Sequence, residues 1–137
     1  MTSSATELVV RYAETDQMGV VHHSVYPIYF EAGRTDFIKK LGVPYSKIEE
    51  DGLLLPLLEL RCTFKSAAKY EDVLTVRTVV KELTKTRVVF GYEVLKPGMP
   101  GPITTGETYH AWTDRNLKPL NLKKHRPELY DLLCTAI

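Results

Sequence analysis

The residues best equipped for chemistry fall in one segment, Arg11-Tyr12-Ala13-Glu14-Thr15-Asp16-Gln17-Met18-Gly19-Val20-Val21-His22-His23-Ser24-Val25-Tyr26. A carboxylate, Asp16, precedes a glycine-bearing turn that runs into a helical apolar pattern. The first amides of a helix lack intrahelical acceptors and carry partial positive charge. Such amides can polarise a carbonyl oxygen and stabilise the oxyanion that develops on it. A carboxylate held beside them can attack that carbonyl or activate water toward it. The spacing thus supplies both halves of an acyl-transfer site. An aspartate ahead of a helix is also a common N-cap, worth roughly 1 kcal/mol. Asp16 stands about eight residues before the expected helix start, a poor fit for a simple cap. On physics alone both readings stand.

Other reactive side chains offer less. His22 and His23 are adjacent, so their rings are expected to point in different directions, and no carboxylate or thiol stands at ligand spacing; no metal site is expected. His110 and His125 are distant and unaccompanied. No serine sits in a nucleophile elbow of the G-x-S-x-G kind. Glu31 falls on the polar side of the helical stripe, where solvent exposure or a salt bridge is the expected role. Lys85-Thr86-Arg87 reads first as a charged hairpin turn. Cys62 and Cys134 lack zinc or redox spacing and read as buried or incidental thiols in a reducing compartment.

The elements that must position Asp16 follow from periodicity. Leu8 to Tyr12 reads as a first strand, and the small polar residues before it as a frayed end. From about Ser24 to Leu41 the spacing is helical, with Tyr26, Tyr29, Phe30, Gly33, Phe37 and Leu41 in one stripe. Pro27 fits only a first turn, and Gly42 suits a left-handed cap. Gly33, inside the stripe, implies close packing on another backbone. Leu53–Lys69, Val73–Leu83, Arg87–Leu95 and Ile103–Thr113 are rich in β-branched and aromatic residues and read as strands. Lys96 to Pro102 must be a loop. Asn121 to Leu133 reads as a short closing helix with Pro127 in its early part. The order predicts an α+β fold, one five-stranded antiparallel sheet around one long helix, as a single domain over residues 8–133. One helix covers one face of such a sheet, so the other face must carry polar residues or meet a partner.

Composition sets the outer limits. The 137 residues are 44% hydrophobic and 26% charged, which argues against disorder. A formal net charge of +1 gives no electrostatic case for nucleic acid. The longest apolar run, Leu53 to Leu58, is interrupted by Pro56 and is too short for a membrane span. The first residues lack a signal-peptide pattern, so a cytoplasmic location is expected.

The Asp16 segment resembles the active-site signature of hotdog-fold acyl-CoA thioesterases of the 4-hydroxybenzoyl-CoA thioesterase type. In that family an aspartate follows the first strand, a glycine comes three residues later, and the backbone amide seven residues after the aspartate faces the thioester. Asp16, Gly19 and His23 occupy those positions, and Tyr26 and Arg34 match the family's aromatic and basic helix positions. Ala68-Lys69-Tyr70-Glu71-Asp72-Val73-Leu74 is similar to the family's turn between its second and third strands, and Thr113-Asp114-Arg115-Asn116-Leu117-Lys118-Pro119 to the end of its last strand. The resemblance spans about residues 8 to 130. It implies a hotdog fold, hydrolysis of an acyl-CoA thioester without a cofactor, and Asp16 as nucleophile or general base. The His23 amide would be the oxyanion donor, with Gly19 and Tyr26 at the substrate. It also implies a homodimer or homotetramer with sites shared between chains. Basic residues such as Lys85 and Arg87 would meet the CoA phosphates. Two alternatives are an acyl-carrier-protein thioesterase and an acyl-binding hotdog protein without activity. The His22 ring is expected to point away from the site.

Overall fold

The computed structural model describes residues 1–137, and its organising element is a helix with one apolar face. α1 (Tyr26–Lys40) buries Tyr26, Tyr29, Phe30, Gly33, Phe37 and Ile38, the stripe the spacing predicts. Pro27 lies in its first turn. Gly42 beyond its end takes φ +112°, the left-handed cap expected of it. α1 lies across a five-stranded antiparallel sheet formed by β1 (Ser3–Val9), β2 (Leu57–Phe64), β3 (Val73–Leu83), β4 (Arg87–Leu95) and β5 (Thr104–Ala111), ordered β1-β3-β4-β5-β2. β1 and β2 are therefore the free edges.

The inner face of the sheet reads Leu74, Val76, Thr78 and Val80 on β3, then Val88, Phe90, Tyr92 and Val94 on β4, all buried. These residues and the α1 stripe form one core, and each large side chain fully buried in it contributes about 1.5–3 kcal/mol. The outer face carries charge instead, with Arg77 near Glu93 at 3.8 Å and Lys81 bonded to Glu107 at 2.9 Å. Exposed pairs of this kind keep the face soluble more than they stabilise it.

Several boundaries differ from the expectation. β1 starts at Ser3, not Leu8, so the polar N-terminal residues are paired rather than frayed: Ser3 to Val9 match Val79 to Val73. Ladder hydrogen bonds to β3 order this strand, which buries only Ser4, so it has no apolar signature to read. Tyr12 belongs to a 3-10 turn, Tyr12–Glu14. Only Leu57–Phe64 of the Leu53–Lys69 stretch is strand. A short helix, α2 (Tyr45–Glu50), precedes it and buries Ile48 alone. The closing helix is two, α3 (Leu122–His125) and α4 (Pro127–Cys134), broken at Arg126 with ψ 71°. The break follows from Pro127, which restricts the residue before it and can only start a helix. Gly33 packs against side chains rather than backbone: an added Cβ would lie 2.5 Å from Thr78 Oγ1 and 2.8 Å from Val76 Cγ1. No helix is long and apolar enough to cross a membrane.

One buried group titrates in an accessible range. His110 is 2% exposed, its Nδ1 lies 3.1 Å from the Leu55 carbonyl, and its Nε2 has no partner. Burial, aided by the Arg34 charge and opposed by the Leu55 carbonyl, pushes its pKa down from 6.5 to about 4. Between those values the unfolded chain binds the extra proton. Stability should therefore fall as the pH is lowered from about 6.5 to 4, by up to about 3 kcal/mol. Urea titrations at pH 7 and pH 5 should show about 2 kcal/mol of this loss in the wild-type chain and less in His110→Gln.

Candidate active site

The Asp16 segment is a closed loop whose every bend has an identifiable hydrogen bond. Thr15 and Val21 form an isolated antiparallel bridge across it. Within the bridge, the Asp16 amide donates to the Val20 carbonyl and the Gly19 amide to the Asp16 carbonyl, each at 2.9 Å. Gly19 takes φ +80° in open space, so backbone conformation rather than crowding calls for glycine. Asp16 anchors its own carboxylate, because Oδ1 accepts the Met18 amide at 2.9 Å. Oδ2 is free. Asp16 therefore caps its own turn and not α1.

Three attachments fix this loop to the fold. The Val21 amide donates to the carbonyl of Ala68, a fully buried residue of the β2–β3 connection. The Val10 amide donates to the Asp72 carbonyl, and the Glu71 amide returns a bond to Val10. The third attachment is Glu14, only 8% exposed. Its Oε1 accepts the Arg11 amide at 2.8 Å and the Tyr29 hydroxyl at 2.9 Å, while the Arg11 guanidinium reaches Oε2 at 3.1 Å and 3.2 Å. Burial alone would raise its pKa. The Arg11 amide, the Tyr29 hydroxyl and the Arg11 guanidinium outweigh that and hold it below the usual carboxylate value. The same Glu14 pushes the Tyr29 hydroxyl upward, after burial as the larger cause.

The loop then enters α1 through a 3-10 turn, His23–Val25. The His22 amide donates to the Glu14 carbonyl at 2.9 Å. The His22 ring caps the turn: Nδ1 accepts the Ser24 amide at 3.1 Å and lies 2.7 Å from Ser24 Oγ. This corrects the expectation for adjacent histidines. Rather than diverging, the two rings lie 4.1 Å apart, and His22 holds the helix entry. The amide of His23 donates to no protein acceptor. Its ring leans edge-on toward Phe64 at 6.4 Å.

Asp16, His23 and Tyr26 line one pocket of about 370 Å³, together with Met18, Phe64 and Lys65. The site residues expected at the head of α1 thus come together, with Gly19 shaping the turn beneath them. Lys85 and Arg87 do not join them. They lie at the other end of the sheet, since Phe64 pairs with Thr104 and Thr104 with Val94. Arg87 is seven residues from Val94 along β4, about 23 Å away at 3.3 Å per residue. It borders a separate hollow with Leu58, Glu59 and Tyr109 on the outer face. Glu31 is exposed and outside the pocket. Arg34 donates to the Tyr92 hydroxyl at 3.0 Å and does not line the pocket.

Glu14, Phe64 and Lys65 stand outside the site residues expected from the sequence. Glu14 had a legible signal: an acidic residue three positions after Arg11 is the spacing at which a carboxylate reaches back to an N-cap amide. Phe64 had none, because nothing local links the end of a strand to a loop some fifty residues earlier.

Comparison with known proteins gives a consistent result. A family described as the thioesterase-like superfamily matches residues 10–129. A candidate acyl-CoA thioesterase of Bacillus subtilis is 34% identical over 128 residues, 93% of each chain. A DHNA-CoA thioesterase from Staphylococcus aureus superposes with a TM-score of 0.94 at 33% identity, covering 98% of this chain and 91% of that one. A chloroplastic acyl-acyl carrier protein thioesterase of Arabidopsis thaliana is 28% identical over 85% of this chain and 61% of its own length.

The two histidines should separate in a stability measurement. His22→Ala removes the cap of the helix entry and should cost roughly 1 kcal/mol in urea unfolding. His23→Ala removes an exposed ring and should leave the midpoint unchanged.

Proposed function

The chain belongs to the thioesterase-like superfamily, a family of thioester hydrolases with the hotdog fold, and on that premise we propose that it hydrolyses acyl-CoA thioesters to a free carboxylic acid and CoA. One observation carries the reading: Asp16, whose Oδ2 is free, and His23, whose amide is unpartnered, line the same pocket from one locked loop. The thioester carbonyl oxygen accepts the His23 amide, which is aimed at it without reorganisation. Asp16 either attacks the carbonyl carbon, forming an anhydride that water then opens, or takes a proton from water that attacks instead. Both routes pass through an oxyanion at the same place. In both the C–S bond breaks, CoA leaves as thiolate and takes up a proton, and the acid is released. An inert acyl-binding protein has no use for a free carboxylate at that point.

The working unit is proposed to be a dimer built on the β2 edge. Leu57, Leu58, Leu60 and Phe64 are 39–52% exposed along this strand, and its far edge has no ladder partner. An edge of this length with exposed leucines is a template for pairing. A second copy paired antiparallel would cover it about a two-fold axis. That pairing lays the Leu57 end of one chain beside the Phe64 end of the other. The partner subunit's Arg87 and the partner subunit's Lys85 then approach the pocket from which, within one chain, they are remote. There they suit the CoA phosphates, as guanidinium and ammonium groups do. Carrier identity is a separate choice, because an acyl carrier protein presents the same pantetheine thioester. Comparing kcat/KM for one acyl group on both carriers decides it.

Asp16→Asn keeps shape and removes charge. It should lower kcat roughly 10²–10⁴-fold with the fold and oligomer intact, measured by thiol release from a panel of short, long and aromatic acyl-CoAs. Near-native turnover would dismiss Asp16 from the chemistry. His23→Ala keeps the amide and should cost less than about tenfold in kcat, well short of the 10²–10³-fold typical of a lost oxyanion donor.

Sedimentation at micromolar concentration should show no monomer. Mixing Asp16→Asn chains with Lys85→Ala/Arg87→Ala chains should restore activity to about a quarter of wild type, since half the random pairs are mixed and each holds one intact site. Absence of rescue would place those basic residues outside the shared site.

A further inference from the structure

We infer that Glu14 is a positioning residue for catalysis, holding the Asp16 carboxylate and the His23 amide at a fixed separation. The inference rests on the proposed roles of those two groups. Glu14 lies between the two units of the site and binds to each. Its main chain is two residues before Asp16, and its carbonyl accepts the amide of His22, the residue preceding the proposed oxyanion donor, at 2.9 Å. Its side chain is bonded to Tyr29 in the first turn of α1 and to Arg11, two residues beyond β1. One residue thus joins strand end, acid-bearing turn and helix start.

The choice of side chain fits this task better than it fits stability alone. Four donors converge on the two carboxylate oxygens: the Arg11 amide, Nε and Nη2, and the Tyr29 hydroxyl. Only an ionised carboxylate accepts all four, because an amide side chain presents one oxygen and turns an NH₂ toward donors. Charge-assisted bonds on both oxygens leave the loop little freedom. Glu14 does not itself reach the pocket, whose walls are formed by Asp16, Met18, His23, Tyr26, Phe64 and Lys65 among others. Its effect passes through the other two groups.

The test is a double-mutant cycle on kcat and KM, using whichever of acetyl-, decanoyl-, palmitoyl- and benzoyl-CoA the wild-type chain hydrolyses fastest. Glu14→Gln should lower kcat roughly 10- to 100-fold, since a displacement of about 1 Å between reacting groups costs up to that much. KM should stay within about threefold, because the binding walls are untouched. In an Asp16→Asn background the same change should cost less than about threefold, there being no carboxylate left to aim. A general structural role predicts an equal proportional loss in both backgrounds, and that result would overturn the inference. So would a Glu14→Gln enzyme with kcat within threefold of wild type while Asp16→Asn is inactive, an outcome that leaves the proposed function standing. An active Asp16→Asn enzyme would remove both. Should Glu14→Gln fail to fold, Arg11→Met takes its place. The Arg11 side chain is 76% exposed, so the substitution loosens the carboxylate without opening the core, and the same non-additivity is expected of it.

Discussion

The seating depth of α1 on the sheet is the constraint from which the rest of the molecule follows. Two glycines set it. Gly33 lets the helix descend onto Val76 and Thr78 of β3, and Gly106 of β5 leaves a hollow that the Phe30 ring fills. Phe30 then stacks on Tyr92 with centroids 4.4 Å apart and planes within 7°. The Tyr92 hydroxyl is tied to Thr108 at 2.6 Å and receives Arg34 from the next turn of α1. Depth is thus fixed by missing side chains, and rotation by a stacked pair with a polar tether. A side chain at either glycine would lift the helix and carry its N-terminal amides away from the loop docked on Ala68.

That loop answers the same geometry from the other side. It hangs from the end of the first strand and from the β2–β3 connection, while Glu14 clasps the first turn of α1 through Tyr29. The carboxylate of Asp16 and the amide of His23 belong to different local structures, a turn and a helix entry, yet both are referenced to the sheet. The two edges of that sheet are treated differently. β1 is pinned by Lys40 to the Ala5 carbonyl at 2.9 Å and by Thr6 to Asp36. β2 carries leucines and a phenylalanine into solvent and ends at the pocket, which is why the proposed pairing of chains and the proposed chemistry meet there.

Much of this was legible, and the exceptions share a cause. The α1 stripe and strands β3 and β4 bury apolar side chains at a regular period, Pro27 and Gly42 mark the helix ends by their backbone limits, and β2 and β5 show through their β-branched and aromatic content. The start of β1 does not: Ser3 to Glu7 are ordered by main-chain ladders, and such bonds are blind to side-chain type. α2 hides because six residues with one buried isoleucine make no stripe. The closing helix is not continuous because the effect of Pro127 on Arg126 outweighs the apolar spacing around it. In the site, Asp16, Gly19, His23 and Tyr26 lie within eleven residues; spacing marks the carboxylate, the turn and the helix start, and the resemblance names Gly19, His23 and Tyr26. Lys85 and Arg87 were placed there by resemblance alone, and within one chain the sheet holds them at its far end. Phe64 reaches the pocket only through the sheet's return path, which no local pattern records.

The locality of the loop has an evolutionary consequence. The reacting groups proposed here are carried by a single short stretch of chain that organises itself through its own main-chain bonds and one buried glutamate. The pocket walls draw on that loop through Met18 and Val20, and also on distant residues, Phe64 and Lys65 from a strand terminus and Tyr26 from the helix. Substitution can therefore reshape what the cavity accepts without disturbing the atoms that break the bond. A fold arranged in this way can diversify its substrates while inheriting one reaction unchanged, because part of the wall lies far along the chain from the reacting groups.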